Sequence, residues 1–164
     1  MKTLILVRHA KSDWGQTGLD DFERPLNERG KKDAPVMAKR LKNKSIVIDA
    51  IVASPAKRAA KTAKVFAEEL GIKKGNIFFK DELYLPSAEL FFSVIENVDD
   101  SLNNIVIFSH NNGITDFANL LTDTRIDNIP TCGVFAVKIH CKSWKELRMA
   151  KKDFWFFDYP KSNQ

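Results

Sequence analysis

Three short stretches of this chain carry side chains able to handle a phosphoryl group: Arg8-His9, Arg58 within Ser54-Pro55-Ala56-Lys57-Arg58, and His110 within Ser109-His110-Asn111. Transfer of a phosphoryl group spreads negative charge over its equatorial oxygens, so positioned cations are the main requirement. Arg8, Arg58 and a protonated His110 can supply them. An imidazole with an unperturbed pKa of about 6.5 is substantially neutral at pH 7, which makes His9 the natural nucleophile for a phosphoenzyme that water later hydrolyses. Ser12 could donate its hydroxyl to the same anion or serve as a solvated turn residue, and Asn111 is the other candidate substrate contact. A poor leaving group, such as an alkoxide, would require a general acid. Glu82, which follows a short apolar stretch, is the first candidate, with Asp81 and Glu89 behind it. If none serves, the substrate needs a good leaving group: the protonated imidazole of phosphohistidine, a phosphoanhydride or an aryl phosphate.

These side chains act together only if the chain delivers them to one place. Leu4 to Val7 is a continuous apolar run that reads as a strand buried on both faces, and it ends at Arg8-His9. Asp49 to Ala53 predicts a second strand, with Ser54 as N-cap and Pro55 at the first position of a helix. That helix carries Ala59, Ala63, Phe66 and Leu70 on its core stripe and Lys57, Lys61, Lys64 and Glu68 on its solvated face, and it stops at Gly71. Arg58 then lies in the first turn, where free backbone donors already favour an anion. Asn104 to Phe108 predicts a third strand, delivering Ser109-His110-Asn111 ahead of a helix from about Ile114 to Leu121. A weaker strand spans Asn76 to Lys80, and Ser87 caps a helix carrying Leu90, Phe91, Val94 and Ile95 inward. Any one of these cations alone could be a packing residue or half of a surface ion pair, but two histidines and two arginines at three strand ends are hard to explain that way. Parallel strands with right-handed crossovers place such ends on one edge of the sheet. The expected fold is a three-layer α/β/α sandwich with a mainly parallel central sheet.

Two places stay open. Ala34, Met37, Ala38 and Leu41 recur at helical spacing around Pro35, so either Asp33 caps a helix with Pro35 in its first turn, or a helix from near Asn27 bends at Pro35. Gly133 to Ile139 alternates like a strand, with Trp144 to Ala150 expected to return as its hairpin partner. The aromatic stretch Asp153 to Tyr159 is expected to pack on the sheet as core; the alternative is an exposed partner-binding patch.

Arg8-His9-Ala10-Lys11-Ser12, Ser54-Pro55-Ala56-Lys57-Arg58-Ala59 with Thr62-Ala63, and Ser109-His110-Asn111 resemble the motifs of the histidine phosphatase superfamily, which includes the phosphoglycerate mutases. The short chain, Asp13-Trp14 completing the first motif and the Arg24-Pro25-Leu26 turn resemble the small SixA-type phosphohistidine phosphatase branch. The resemblance runs from the first strand to at least Leu121. It implies a phosphoglycerate mutase-like fold, a nucleophilic role for His9 and a hydrogen bond from the other nitrogen of that ring, whose acceptor is not legible. Ala10 stands where the family usually has glycine, and no asparagine lies near Gly15 where larger relatives carry one. The carboxylate acid of the family has no obvious match.

Composition bounds the rest. The 164 residues, 44% hydrophobic and 29% charged, suit one soluble domain spanning 1–164. Cys132 and Cys141 are too few for a disulfide framework and lack metal-ligand spacing, so reduced thiols, no structural metal and no cofactor are expected. No apolar run approaches the roughly 18 residues of a membrane span, and the one after Lys2 is too short for a signal peptide, so a cytoplasmic location is expected. The net charge of +5 admits nucleic acid, but the lysines are interleaved with acidic residues, which favours a small anionic substrate. The reading is a metal-independent phosphatase and a monomer, whose partner is a phosphorylated substrate such as a phosphohistidine protein. A small-molecule phosphomonoesterase and a phosphoanhydride hydrolase are the enzyme alternatives. The missing acid and Ala10 keep a catalytically silent phosphate-binding module open as well.

Overall fold

Leu4, Ile5, Leu6 and Val7 are all fully buried because their strand, β1 (Lys2–Arg8), lies inside a six-stranded sheet with a helical layer over each face. The computed structural model describes residues 1–14 and 18–162. After β1 come α1 (Glu28–Lys42), β2 (Ala50–Ala53), α2 (Lys57–Leu70), β3 (Ile77–Phe79), α3 (Ala88–Glu96), β4 (Asn104–Ser109), α4 (Gly113–Leu121), β5 (Val134–Ile139) and β6 (Lys152–Asp158). The strand order is β3-β2-β4-β1-β5-β6. The first four strands are parallel, and β5 and β6 run antiparallel at one side.

Alternation along β1 divides its side chains between two cores. Leu4 and Leu6 join Phe91 of α3 and Phe117 of α4, whereas Ile5 and Val7 join Met37 of α1 and Phe66 of α2. The expected three-layer sandwich is therefore the observed one. Strand register aligns the ends that matter for chemistry: Arg8 pairs with Ser109 and Ala53 with Phe108, so β1, β2 and β4 end nearly level. The ladder continues one step further through His9 N–H to Ser109 O (3.1 Å) and Ser54 N–H to Phe108 O (2.9 Å).

The helix α1 takes the earlier of its two possible starts. Asn27 caps it by accepting from Gly30 N–H at 2.9 Å, and Pro35 lies inside the helix. Gly30 is required there, because a Cβ would stand 2.1 Å from the Lys11 carbonyl oxygen of the loop that leaves β1.

The start of α2 differs from expectation: it begins at Lys57, with Ala56 at the cap position. Ser54 is still bonded into the sheet through its backbone, so the chain cannot turn into the helix until two residues later, and its hydroxyl instead accepts from Ala56 N–H at 3.2 Å. Gly71 ends α2 in the left-handed conformation, as expected, with φ 71°.

The hairpin partner of β5 is β6, not Trp144 to Ala150. Trp144 is needed in the core, where its ring is fully buried and Nε1–H donates to Leu102 O at 2.7 Å, so that stretch forms a capped 3-10 turn instead. The aromatic stretch is thereby an edge strand rather than core. A bulge at Ala136/Val137 sends Trp155 and Phe156 together to one face and Phe157 to the other, each half-buried.

Candidate active site

The level ends of β1, β2 and β4 bring Arg8, His9, Arg58 and His110 around a cavity of about 290 Å³, which Ser12 and Asn111 also line. His9 is buried, and its Nδ1 lies 2.7 Å from the Ala10 carbonyl oxygen. A carbonyl only accepts, so Nδ1 carries the proton and Nε2 keeps its lone pair. That nitrogen accepts from Arg58 Nε–H at 3.3 Å. The acceptor that orients the ring is thus the backbone of the next residue. Ala10 N–H in turn donates to Thr62 Oγ1 (3.0 Å), whose hydroxyl donates to Arg58 O (2.8 Å), tying the end of β1 to the first turn of α2. Ala10 is fully buried and its φ is not positive, so its methyl group fits where a glycine would have done.

Arg8 donates through Nη1 to Ile129 O at 3.0 Å, while its buried Nε has no partner among the described residues. His110 places Nε2 2.7 Å from Ser54 Oγ, and its buried Nδ1 likewise has no partner among the described residues. The two imidazoles lie 5.2 Å apart, centroid to centroid. Ser12 accepts from Arg24 Nη1 at 2.7 Å. Asn111 is held by Asn128 and the Thr115 hydroxyl.

Glu82 is not brought to this cavity. It is exposed in a 3-10 turn, Asp81–Leu83, and lines a different hollow beside β3 and α3, because β3 is the edge strand two positions away from β1's neighbour β4. Asp81 is exposed in the same turn, and Glu89 is exposed and paired with Arg148. The carboxylate in the cavity is Asp21, which sequence reasoning missed along with Arg24 and Tyr84. Asp21 Oδ2 accepts from Arg58 Nη2 (3.0 Å) and Tyr84 OH (2.5 Å), and Oδ1 accepts from Arg24 Nη2 (2.9 Å). Its backbone oxygen accepts from Arg58 Nη1 at 2.6 Å. The only hint was Arg24 three residues after Asp21 in a stretch without periodicity. Trp14 also lines the cavity, with the Arg24 guanidinium 3.4 Å from its ring centroid. Gly15, the region where the family asparagine would fall, lies outside the described residues.

Burial pushes the His9 imidazole down to about 3, against the Ala10 hydrogen bond and with the help of Arg58, Arg8 and Arg24. His110 is pushed down to about 2 by burial, then by His9 and Arg58. The protonated His110 expected from sequence is therefore not present in the free protein: a buried ring among cations stays neutral, and it can offer an N–H rather than a full charge. Burial alone would raise the Asp21 carboxyl, but hydrogen bonds from Tyr84, Arg58 and Arg24 outweigh it and hold the group well below the usual carboxylate range. Burial, then the hydrogen bond to Asp21, raises the Tyr84 phenol.

An imidazole nitrogen with a free lone pair, set among arginines at the carboxyl ends of parallel strands, is an arrangement that can bind an anion and receive a transferred group on nitrogen. A family model described as histidine phosphatase superfamily (branch 1) matches residues 4–83. A chloroplastic Arabidopsis thaliana protein is 28% identical over 88% of this chain and 70% of its own length. Phosphoserine phosphatase 1 of Hydrogenobacter thermophilus is 43% identical over 42% of this chain, which is 32% of that protein. The solved structure of the protein histidine phosphatase SixA complexed with tungstate superposes with a TM-score of 0.81 at 17% identity, covering 96% of this chain and 97% of that one. Residues 4–83 are thus similar in sequence to the histidine phosphatase superfamily, and the whole chain shares the fold of the solved SixA structure.

Proposed function

We propose that this phosphatase removes the phosphoryl group of phosphohistidine in a protein through a phosphoenzyme on His9. The carrying observation is the pair His9 and Asp21: an unprotonated Nε2 faces the cavity, while the one carboxylate among the described residues lining it is held ionised. A carboxylate without a proton cannot protonate an alkoxide, so the reaction suits a leaving group that needs no enzyme acid. Nε2 of His9 attacks phosphorus, the substrate P–N bond breaks, and the departing imidazole keeps both electrons and its proton. Water then attacks phosphorus, the P–Nε2 bond breaks, and inorganic phosphate leaves. Arg8, Arg58 and the His110 N–H are the groups placed to receive the equatorial oxygens, and Arg58 must exchange Asp21 for the incoming anion.

The likeness to the protein histidine phosphatase SixA supports the substrate class. The likeness to phosphoserine phosphatase supports a competing reading, a small-molecule phosphomonoesterase. No described helix is long and apolar enough to cross a membrane. The proposal takes the chain as a one-domain monomer acting in the cytoplasm. The deciding experiment measures kcat/KM for phosphohistidine, aryl phosphates and alkyl phosphates. Efficient turnover of phosphohistidine with poor turnover of alkyl phosphates is expected, and the reverse order would overturn the proposal.

A further inference from the structure

Beside the His9 cavity, a second hollow of about 550 Å³ opens against α2. Phe22, Pro25, Leu26 and Pro55 contribute apolar surface to it, while Lys31, Lys57, Lys61 and Lys64 supply four cations against a single carboxylate, Glu23. All four lysines are exposed. Lys57, Lys61 and Lys64 recur at helical spacing along α2, and none of them forms an ion pair among the described residues; only Lys31 has an acidic neighbour, Glu28 at 3.7 Å. Unpaired like charges on one helix face repel each other, so the arrangement gains most from an anionic partner.

The groove and the cavity share a wall. Along one segment, Asp21 and Arg24 line the His9 cavity while Phe22, Glu23, Pro25 and Leu26 line the groove; at the start of α2, Arg58 faces the cavity and Lys57 the groove. An occupant of the groove therefore lies within one or two residues of whatever Arg58 holds.

We infer that this groove seats an acidic segment of the protein substrate, next to the phosphorylated residue. The inference rests on the phosphoprotein reading proposed above and adds a recognition surface to it. Carboxylates match the lysine rim, and apolar side chains of the same segment match the proline and leucine floor. A nucleic acid would meet one aromatic ring there, Phe22, and no row of rings on which successive bases could stack.

The test uses four synthetic peptides of one core sequence, with acidic or basic flanks, each carrying either phosphohistidine or phosphotyrosine. They are assayed with the wild-type chain and with the Lys57→Ala/Lys61→Ala/Lys64→Ala variant, and p-nitrophenyl phosphate serves as a probe that reaches only the His9 cavity. Wild type should show a KM for acidic-flanked peptides roughly tenfold below that for basic-flanked ones, the product of three screened surface contacts of about twofold each. The variant should lose that difference with kcat unchanged, and its kcat/KM for p-nitrophenyl phosphate should match wild type. Raised salt should narrow the wild-type difference. Equal KM values for both flanks, or an equal loss on peptides and p-nitrophenyl phosphate, would overturn the groove. Competition by an RNA oligomer but not by an unphosphorylated acidic peptide would overturn it in favour of nucleic acid. If phosphohistidine peptides are not turned over while phosphotyrosine peptides keep the flank dependence, the groove stands and the phosphohistidine reading fails.

Discussion

Arg58 donates from Nη2 to Asp21 Oδ2 at 3.0 Å while its Nε–H points at Nε2 of His9, 3.3 Å away, so one guanidinium joins the only carboxylate among the described lining residues to the His9 imidazole. A phosphoryl group bound at His9 must share or take that fork. Asp21→Asn should therefore tighten vanadate or tungstate binding severalfold, because a charged competitor becomes neutral. Any change in kcat/KM should be the same for aryl and alkyl phosphates, and Glu82→Gln, outside the cavity, should alter neither. The measurements are inhibition by vanadate and kcat/KM over a leaving-group series. A loss that grows with leaving-group pKa in Asp21→Asn would make Asp21 the acid instead.

His9→Ala should reduce turnover by at least about 10³-fold, on the scale of other nucleophile deletions, and leave the fold intact. The ring sits at a strand end and lines a cavity rather than filling the core. Mass spectrometry of an acid-labile phosphoenzyme after rapid mixing with a phosphodonor should show one phosphoryl group on wild type and none on the variant. A labelled His9→Ala protein would exclude His9 as the acceptor.

Arg58→Lys keeps the charge but loses the planar fork, so vanadate affinity should fall roughly tenfold, and further in Arg58→Ala. Thr62→Val should reproduce part of that loss without touching the ligand, since the Thr62 hydroxyl links the Arg58 carbonyl to Ala10 N–H. Isothermal titration with vanadate checks both; unchanged affinity in the Arg58 variants would place this side chain outside the anion site.

The low pKa of His9, about 3, and of His110, about 2, have a consequence for stability with a definite sign. Below about 6.5 the unfolded chain protonates both rings while the folded chain does not, so the unfolded state binds more protons and is favoured. Their stabilising contribution is complete above about 6.5 and is lost as pH falls toward the folded values. The melting temperature should drop on acidification from pH 7 to pH 5, and His9→Ala should flatten that drop. The acid limb of kcat/KM, corrected for substrate ionisation, should show no enzyme group near 6.5. A limb there in wild type would mean that the free enzyme carries a normally titrating histidine in the site.

What the sequence determined by itself is the set of strand ends. Leu4 to Val7, Ile51 to Ala53 and Ile105 to Phe108 are apolar runs too short for helices, and each releases a polar motif within a residue or two, so Arg8, His9, Arg58 and His110 were legible as candidates that one sheet edge could collect. Periodicity also marked the inward faces of α2 and of α3, except that Leu90, expected inward, is exposed while Phe91, Val94 and Ile95 are buried. Only the tertiary structure decided which carboxylate joins them. Glu82 is near a strand in sequence, but that strand is the sheet edge and its turn faces another hollow. Asp21 lies in a stretch without period, and its position depends on distant contacts: the Ser12 to Leu26 bridge, Gly30 against the Lys11 carbonyl, and the hydroxyl of Tyr84. The same holds for the partner of β5, where burial of Trp144 outweighs local strand preference and leaves the pairing to β6. Local pattern reports which face of an element avoids water; the path of a loop and the neutral state of His110 are set by packing and burial that no short window of sequence contains.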